Sequence, residues 1–336
     1  MRICIIQDQF GLQALKWIDA PDPSPGPGEV LLRMRAWSLN YRDLLVVKGQ
    51  YNPKLKLPFT PLSDGVGVVA AIGPGVTRWK VGDRVAAHFA PGWIDGELTL
   101  AAARTALGEA LPGLLAELAV LPESGLVAVP AHLSDAEAAT LPCAAVTAWS
   151  ALVRHGRLSA GETVLIQGTG GVSLFALQFA RLHGARVIAT SSSDAKLQRL
   201  RDLGASETIN YRTTPDWGDA VRKLAGGEGV DQIVEVGGAG TMAQSLRAIR
   251  PNGTIHLIGI LAGGAAQFNP VPVLMKQVRL QGIFVGPRTA FEQMNRAVAV
   301  HQLRPVVDLV FPATEVAAAL AYLESGQHFG KIALTW

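Results

Sequence analysis

Residues 162–193 read ETVLIQGTGGVSLFALQFARLHGARVIATSSS. Val164, Leu165 and Ile166 are branched aliphatics, as expected of a strand buried on both faces. Gly168, Thr169, Gly170 and Gly171 form a turn signal. Val172, Leu174, Phe175, Leu177, Phe179 and Leu182 then recur at helical spacing until Gly184. Val187, Ile188 and Ala189 open a second strand. A strand, a glycine turn, a helix and a strand let the backbone approach a pyrophosphate closely, with free N–H groups at the positive end of the helix dipole. Ser173 stands where the usual pattern has its third glycine, and serine is small enough for close helix–strand packing. A glycine turn with no ligand is the structural alternative. The surrounding αβ units favour the nucleotide reading.

Downstream, strands are expected near 186–190, 206–209, 231–236 and 253–258 with helical patterns between them, and a further strand over 278–285. Such alternation predicts an α/β fold with a doubly wound parallel sheet covered on both faces. Upstream the chain reads as β-rich, with strands over 29–36, 65–73 and 81–86 punctuated by turns. Segment 88–118 is irregular, and from about residue 100 it is ambiguous between helix and loop. Ser134 with Glu137 three residues on is a capping-box signature. A helix over 313–325 and a strand over 331–336 close the chain. The implied domains are 131–286 for the nucleotide, and 1–130 with 287–336 for a β-rich partner.

The chain has 336 residues, 49% of them apolar, and a formal net charge of +3. No long basic run accompanies the slight positive charge, so a nucleic-acid partner has little support. No apolar run reaches the ~18 residues of a membrane span. Two cysteines, Cys4 and Cys143, do not make a disulfide scaffold and fit a reducing cytoplasm.

The second strand ends in Ser191, Ser192 and Ser193, where an NAD-binding chain usually places an acid. A carboxylate there would bind the ribose 2′-hydroxyl and repel a 2′-phosphate. Neutral serines, with Lys196 one turn on and Arg212 after Tyr211, favour NADPH. Solvated surface charge is the alternative for Lys196 and Arg212.

Taken with Asn40-Tyr41-Arg42-Asp43, residues 58–67, Val81-Gly82-Asp83-Arg84-Val85, residues 141–149 and Gly330-Lys331-Ile332, the chain resembles the medium-chain dehydrogenase/reductase superfamily, in particular its zinc-free quinone oxidoreductase-like branch. The resemblance implies a Rossmann domain plus a β-rich GroES-like catalytic domain. Zinc-dependent members carry a cysteine where Asn40 stands, Gly-His-Glu at Leu62-Ser63-Asp64, and a ligand at Cys143. Cys143 alone matches, short of the three ligands a catalytic zinc needs, so no metal is expected. Cys143 then reads as a small buried residue.

Without a strong Lewis acid, hydride delivery from NADPH to quinones or α,β-unsaturated carbonyls is the easier chemistry, because conjugation spreads the developing charge. The resemblance puts Asn40 and Thr147 by the nicotinamide. The glycine turn itself puts Gly168, Gly170, Gly171 and Val172 at the pyrophosphate, and the resemblance puts Val236, Gly237, Ile258, Leu261, Phe284 and Val285 at strand ends facing the cofactor. Ser191, Ser192, Lys196 and Tyr211 fit the adenosine 2′-phosphate, and Lys331 is expected to reach the same phosphate. Structural alternatives are that Asn40 caps a helix and Val236 is core. Tyr41, Arg42 and Tyr51 are the candidates for donating a hydrogen bond or proton to the acceptor, with solvent as the other proton source. A homodimer paired through residues 278–285 is also implied. Competing readings are an alcohol dehydrogenase or carbonyl reductase of the same superfamily, and a cofactor-binding protein without turnover.

Overall fold

The computed structural model describes residues 1–265 and 267–336. The chain divides into two compact units, Met1–Val146 with Gly286–Trp336, and Thr147–Val285. The first unit begins with β1 (Arg2–Ile6), β2 (Leu15–Asp19), β3 (Glu29–Ser38), β4 (Asp64–Ile72), β5 (Arg84–Ala87), β6 (Leu118–Pro122) and β7 (Leu126–Ala128). The second unit carries β8 (Thr163–Gln167), β9 (Arg186–Ser191), β10 (Glu207–Asn210), β11 (Val230–Glu235), β12 (Ile249–Leu257) and β13 (Arg279–Gly282). The chain returns to the first unit with β14 (Val307–Pro312) and β15 (Lys331–Thr335).

In the first unit β1 and β2 pair as an antiparallel ribbon. The main sheet runs β14-β15-β3-β4-β5-β7, with β6 paired to β3. Val30, Leu32 and Met34 alternate into a core with Trp37, Leu44, Val69 and Leu320, the period-two pattern of a sheet buried on one face. Trp37 is fully buried and its indole N–H donates to the Leu114 carbonyl, so the large side chain brings no unsatisfied donor inside. Segment 88–118, which the sequence left ambiguous, holds one short helix, Leu100–Ala103, among turns.

The second unit is a six-stranded parallel sheet in the order β10-β9-β8-β11-β12-β13. Numbered from β8, that is 3-2-1-4-5-6, the dinucleotide-binding order, with its topological switch point between β8 and β11. Val164, Leu165, Ile166, Ile233, Val234 and Ile255 have essentially no exposed surface, because helices cover both faces.

Two expectations shift. The boundary falls after Val146 rather than near 131, because helix Asp135–Ala139 packs on β3, β4 and β15 of the first unit. Its capping box is present: Ser134 Oγ accepts from Glu137 N at 3.2 Å, and the Glu137 carboxylate accepts from Ser134 N at 2.8 Å. The strand expected over 278–285 shortens to Arg279–Gly282, and Val285 turns into the left-handed region at φ 48°, a costly conformation for a β-branched residue. Among the described residues no helix is long and apolar enough to cross a membrane.

Candidate cofactor and acceptor sites

In the second unit the glycine turn leaves the C-terminal end of β8 at the switch point. Gly168 takes φ 71°, and its N–H donates to the Thr190 carbonyl at the end of β9. A side chain added at Gly168 or Gly170 would meet no atom within 4 Å, so the face over the turn is open to a ligand. Gly170 caps helix Gly171–Leu182 without a side chain of its own, leaving the first N–H groups uncapped from that side. Ser173 explains its departure from glycine. It is buried, and its hydroxyl donates to the Gln167 carbonyl at 2.6 Å, which ties the helix to the strand before it.

The loop after β11 is organised by a residue the sequence reading passed over. Glu235 is completely buried. Its carboxylate accepts from Gln167 Nε2 (2.6 Å), Thr241 Oγ1 (2.6 Å), Gly237 N (2.9 Å) and Gly238 N (3.0 Å), and from the Ser245 hydroxyl. The Gln167–Glu235 bond therefore bridges the switch point itself. Val236 and Gly237 carbonyls accept from Leu261 N and Ala262 N, which fixes the loop after β12 against the loop after β11. Ile258 N donates to the Glu235 carbonyl in the same way. A lone acid ending an apolar strand just before Val236-Gly237-Gly238 was the available signal.

At the end of β9 the Ser191 hydroxyl accepts weakly from Ser193 N (3.4 Å), and Tyr211 N donates to the Ser191 carbonyl (3.1 Å), bringing Ser191, Ser192 and Tyr211 to one strand end. Ser193 is spent on capping helix Asp194–Asp202, where its Oγ accepts from Lys196 N. Asp194, the next residue, is exposed and accepts from Asn210 Nδ2 at 2.8 Å. Thr147 is buried, Phe284 half-buried, Leu261 55% exposed.

In the first unit the strand register builds the acceptor candidates. Ala333 pairs with Ser38 and Leu334 with Trp37, so the start of β15 runs past Asn40, while Ser38 faces Asp64 on β4. Leu62 sits at φ 73° although it is not glycine, a strained turn that delivers Ser63 and Asp64 into the interior. The result is a buried cluster. Lys331 Nζ donates to Asn40 Oδ1 at 2.6 Å and to the Leu39 carbonyl. Asp64 accepts from the Ser63 hydroxyl (3.0 Å) and from Cys143 N (3.3 Å), and Asp43 accepts from Asn40 N (2.8 Å). Asp43, Ser63 and Asp64 have no exposed surface, and Lys331 has 4%.

Burial raises both carboxylates, Asp43 to about 6, with Arg42 opposing the rise at Asp43 and Lys331 opposing it at Asp64. Burial lowers Lys331 while Asp64 pulls it back up. The Cys143 thiol is pushed far up by burial and by Asp64. These groups do not fit a zinc. Both Asp64 oxygens accept from protein donors, Asp43 faces the Arg42 guanidinium, and an ammonium already stands in the cluster. Among the described residues no group of three His, Cys, Asp or Glu side chains is arranged for a metal ion.

Two sequence expectations are corrected here. Lys331 is not on a phosphate-facing surface: its ammonium is inside the first unit, engaged with Leu39 and Asn40. Arg42 is no source of a proton, although its guanidinium remains a hydrogen-bond donor. Its guanidinium lies 3.6 Å from Asp43, donates to the Leu107 carbonyl, and stacks over Phe89 (4.8 Å) and Tyr51 (5.1 Å), so it stays charged. Tyr51 is 43% exposed beside it, and Tyr41, at the first turn of helix Tyr41–Val47, is exposed to the same extent without joining the stack.

Comparison with known proteins decides the family. The zinc-binding dehydrogenase model matches residues 171–299, and the alcohol dehydrogenase GroES-like domain model matches residues 26–131. A zinc-type alcohol dehydrogenase-like protein of Schizosaccharomyces pombe is 42% identical, over 92% of this chain and 91% of its own. The chain belongs to the medium-chain dehydrogenase/reductase superfamily. The two units are accordingly its GroES-like and Rossmann domains. The acryloyl-coenzyme A reductase of Metallosphaera sedula is 30% identical, covering 94% of this chain and 95% of that protein. Among solved structures, an NAD-dependent alcohol dehydrogenase superposes with a TM-score of 0.92 at 37% identity, covering 100% of both chains. A mycobacterial protein complexed with NADPH superposes with a TM-score of 0.84 at 27% identity, again over 100% of both.

Proposed function

We propose that this oxidoreductase is an NADPH-dependent, zinc-independent reductase of quinones or α,β-unsaturated carbonyls. The observation that carries the reading is the buried Asn40–Lys331–Asp64 cluster, which already holds an ammonium and contains no imidazole. The acryloyl-coenzyme A reductase at 30% identity, whose name states reduction of an activated alkene, supports the acceptor class.

The nicotinamide, when bound, supplies the hydride. The open turn at Gly168–Gly171 offers backbone N–H groups and the helix dipole to the pyrophosphate. Ser191, Ser192, Lys196 and Tyr211 take the 2′-phosphate end. In the GroES-like domain, the permanently charged Arg42 polarises the face it shares with the Tyr51 ring. The Tyr51 phenol is then the donor for the acceptor oxygen as charge develops on it. Water is the source of the final proton. The outer edge of β13 is the pairing edge of a homodimer in this reading, and a monomeric mass by light scattering would remove that part.

A second cofactor reading has one specific observation behind it. Asp194, held by Asn210, is an acid one residue beyond the three serines, and one similar structure is described as NAD-dependent. Rates of NADPH and NADH oxidation with a panel of quinones, enones and aldehydes test both points. Turnover of a quinone or enone with a lower KM for NADPH is expected. Turnover confined to alcohols and NAD would overturn the proposal.

A further inference from the structure

Asn40 occupies the N-cap position of helix Tyr41–Val47, where Asp43 closes a capping box with it, and its side-chain oxygen has a second, charged partner. It accepts from Lys331 Nζ. An ammonium only donates, so it binds the oxygen end of the amide and turns the nitrogen end away. Asn40 is 9% exposed, one Nδ2 N–H is directed at Asp64, where it helps hold that carboxylate charged, and the second N–H of Nδ2 has no partner within the chain. A buried, unpartnered amide N–H is expensive unless a ligand completes it. The cation that fixes the amide is itself fixed. The Leu39 carbonyl takes a second Lys331 N–H, the backbone of Lys331 donates to Val306, and Leu39 N donates to Ile332 across the junction of β3 and β15.

We propose that Lys331 is the resident cation of this cluster, balancing Asp64 in place of a divalent metal, and that it is a positioning residue that presents Asn40 Nδ2 as a preset donor to a carbonyl or carboxamide oxygen of the bound ligand. The functional half of the inference rests on the reductase reading above. The orientation of Asn40 does not. Two features distinguish this role from simple charge balance. The lysine contacts the amide directly, whereas no ion pair to Asp64 closes within 4.0 Å among the described residues. Charge balance also needs no particular amide orientation.

The test compares Lys331→Met, Lys331→Arg and the neutralised double variant Lys331→Met/Asp64→Asn, with NADPH and the best quinone or enone acceptor. The double variant is expected to recover most of the thermal stability lost by Lys331→Met, yet to keep kcat reduced by about 10- to 100-fold, the usual effect of losing a group that orients a contact residue. KM for NADPH should move much less than kcat. Lys331→Arg should recover part of kcat, since a donor remains. Recovery of both stability and kcat in the double variant would overturn the proposal. So would wild-type protein purifying with one zinc per chain whose removal lowers its thermal midpoint. Side-chain amide resonances give a readout independent of turnover. The Asn40 Nδ2 pair should be shifted and singly populated in the wild type and should move in the double variant, and unchanged resonances would also overturn it. If the wild type reduces no acceptor, the reductase reading falls, and the resonances and metal content still decide the role of Lys331.

Discussion

Each domain buries carboxylates, and they hold them in opposite ways. Glu235 in the Rossmann domain is satisfied by neutral donors: two backbone N–H groups, two hydroxyls and the Gln167 amide. Asp43 and Asp64 in the GroES-like domain have fewer hydrogen bonds and depend on the charges of Arg42 and Lys331. The first arrangement fixes a loop whose shape must not change when a nucleotide lies over it. The second leaves an amide donor unspent. Convergent neutral donors make a rigid floor, and a charge-held cluster keeps a polar group in reserve for a ligand.

The largest effect that could break this comparison is Lys331→Met. It strands a buried charge, so a loss of about 3–5 kcal/mol in urea unfolding is expected, with most of it restored by Asp64→Asn. A loss below about 1 kcal/mol would mean that Asp64 is not charge-held. Glu235→Gln comes next. The amide keeps an oxygen for Gly237 N, Gly238 N and Thr241 but sets an NH2 against Gln167 Nε2, and a loss of about 2–3 kcal/mol is expected from that stranded donor. No charge reversal elsewhere should rescue it, and a second-site neutralisation that did so would erase the distinction.

The pH dependences of the two domains should oppose one another. In the Rossmann domain burial lowers His256 from 6.5 to about 3, and the ring nitrogen pairs with Gln232. Between those values the unfolded chain binds a proton that the native one refuses, so acid below pH 6.5 costs stability. Asp43 runs the other way. Its folded pKa of about 6 lies above the ordinary aspartate value of 3.8, so its contribution declines as pH rises through that window. Replacing His256 with Gln should narrow the difference in urea midpoint between pH 5 and pH 7, and an unchanged difference would remove His256 as its source.

The smallest effect on stability, and a large one on selectivity, is expected for Ser191→Asp. The new carboxylate should raise KM for NADPH by about tenfold, equivalent to ~1.4 kcal/mol, and leave NADH nearly unaffected. Equal changes for both cofactors would move the 2′-phosphate away from Ser191.

Local sequence carried most of the Rossmann domain. Val164 to Ile166, Gly168 and the helical run to Leu182 are contiguous, and strand, turn and helix signals reinforce one another there. The capping box at Ser134 was legible for the same reason. What sequence order hid is long-range pairing. Lys331 and Asn40 meet across 291 positions because β15 pairs with β3, and nothing local to Lys331 distinguishes that partner from a phosphate. Gln167 and Glu235 meet across 68 positions because β8 and β11 are neighbours at the switch point. The domain boundary moved for a related reason, since helix Asp135–Ala139 has a helix signature in sequence but packs on the β-rich side.

The central claim is that this chain delivers hydride from NADPH without a metal. Its most direct test is the rate of NADPH oxidation with a quinone or enone after exhaustive dialysis against a strong chelator, with residual metal quantified in the same sample. Undiminished turnover at substoichiometric metal is the predicted result. Loss of turnover on chelation, restored by added zinc, would contradict it.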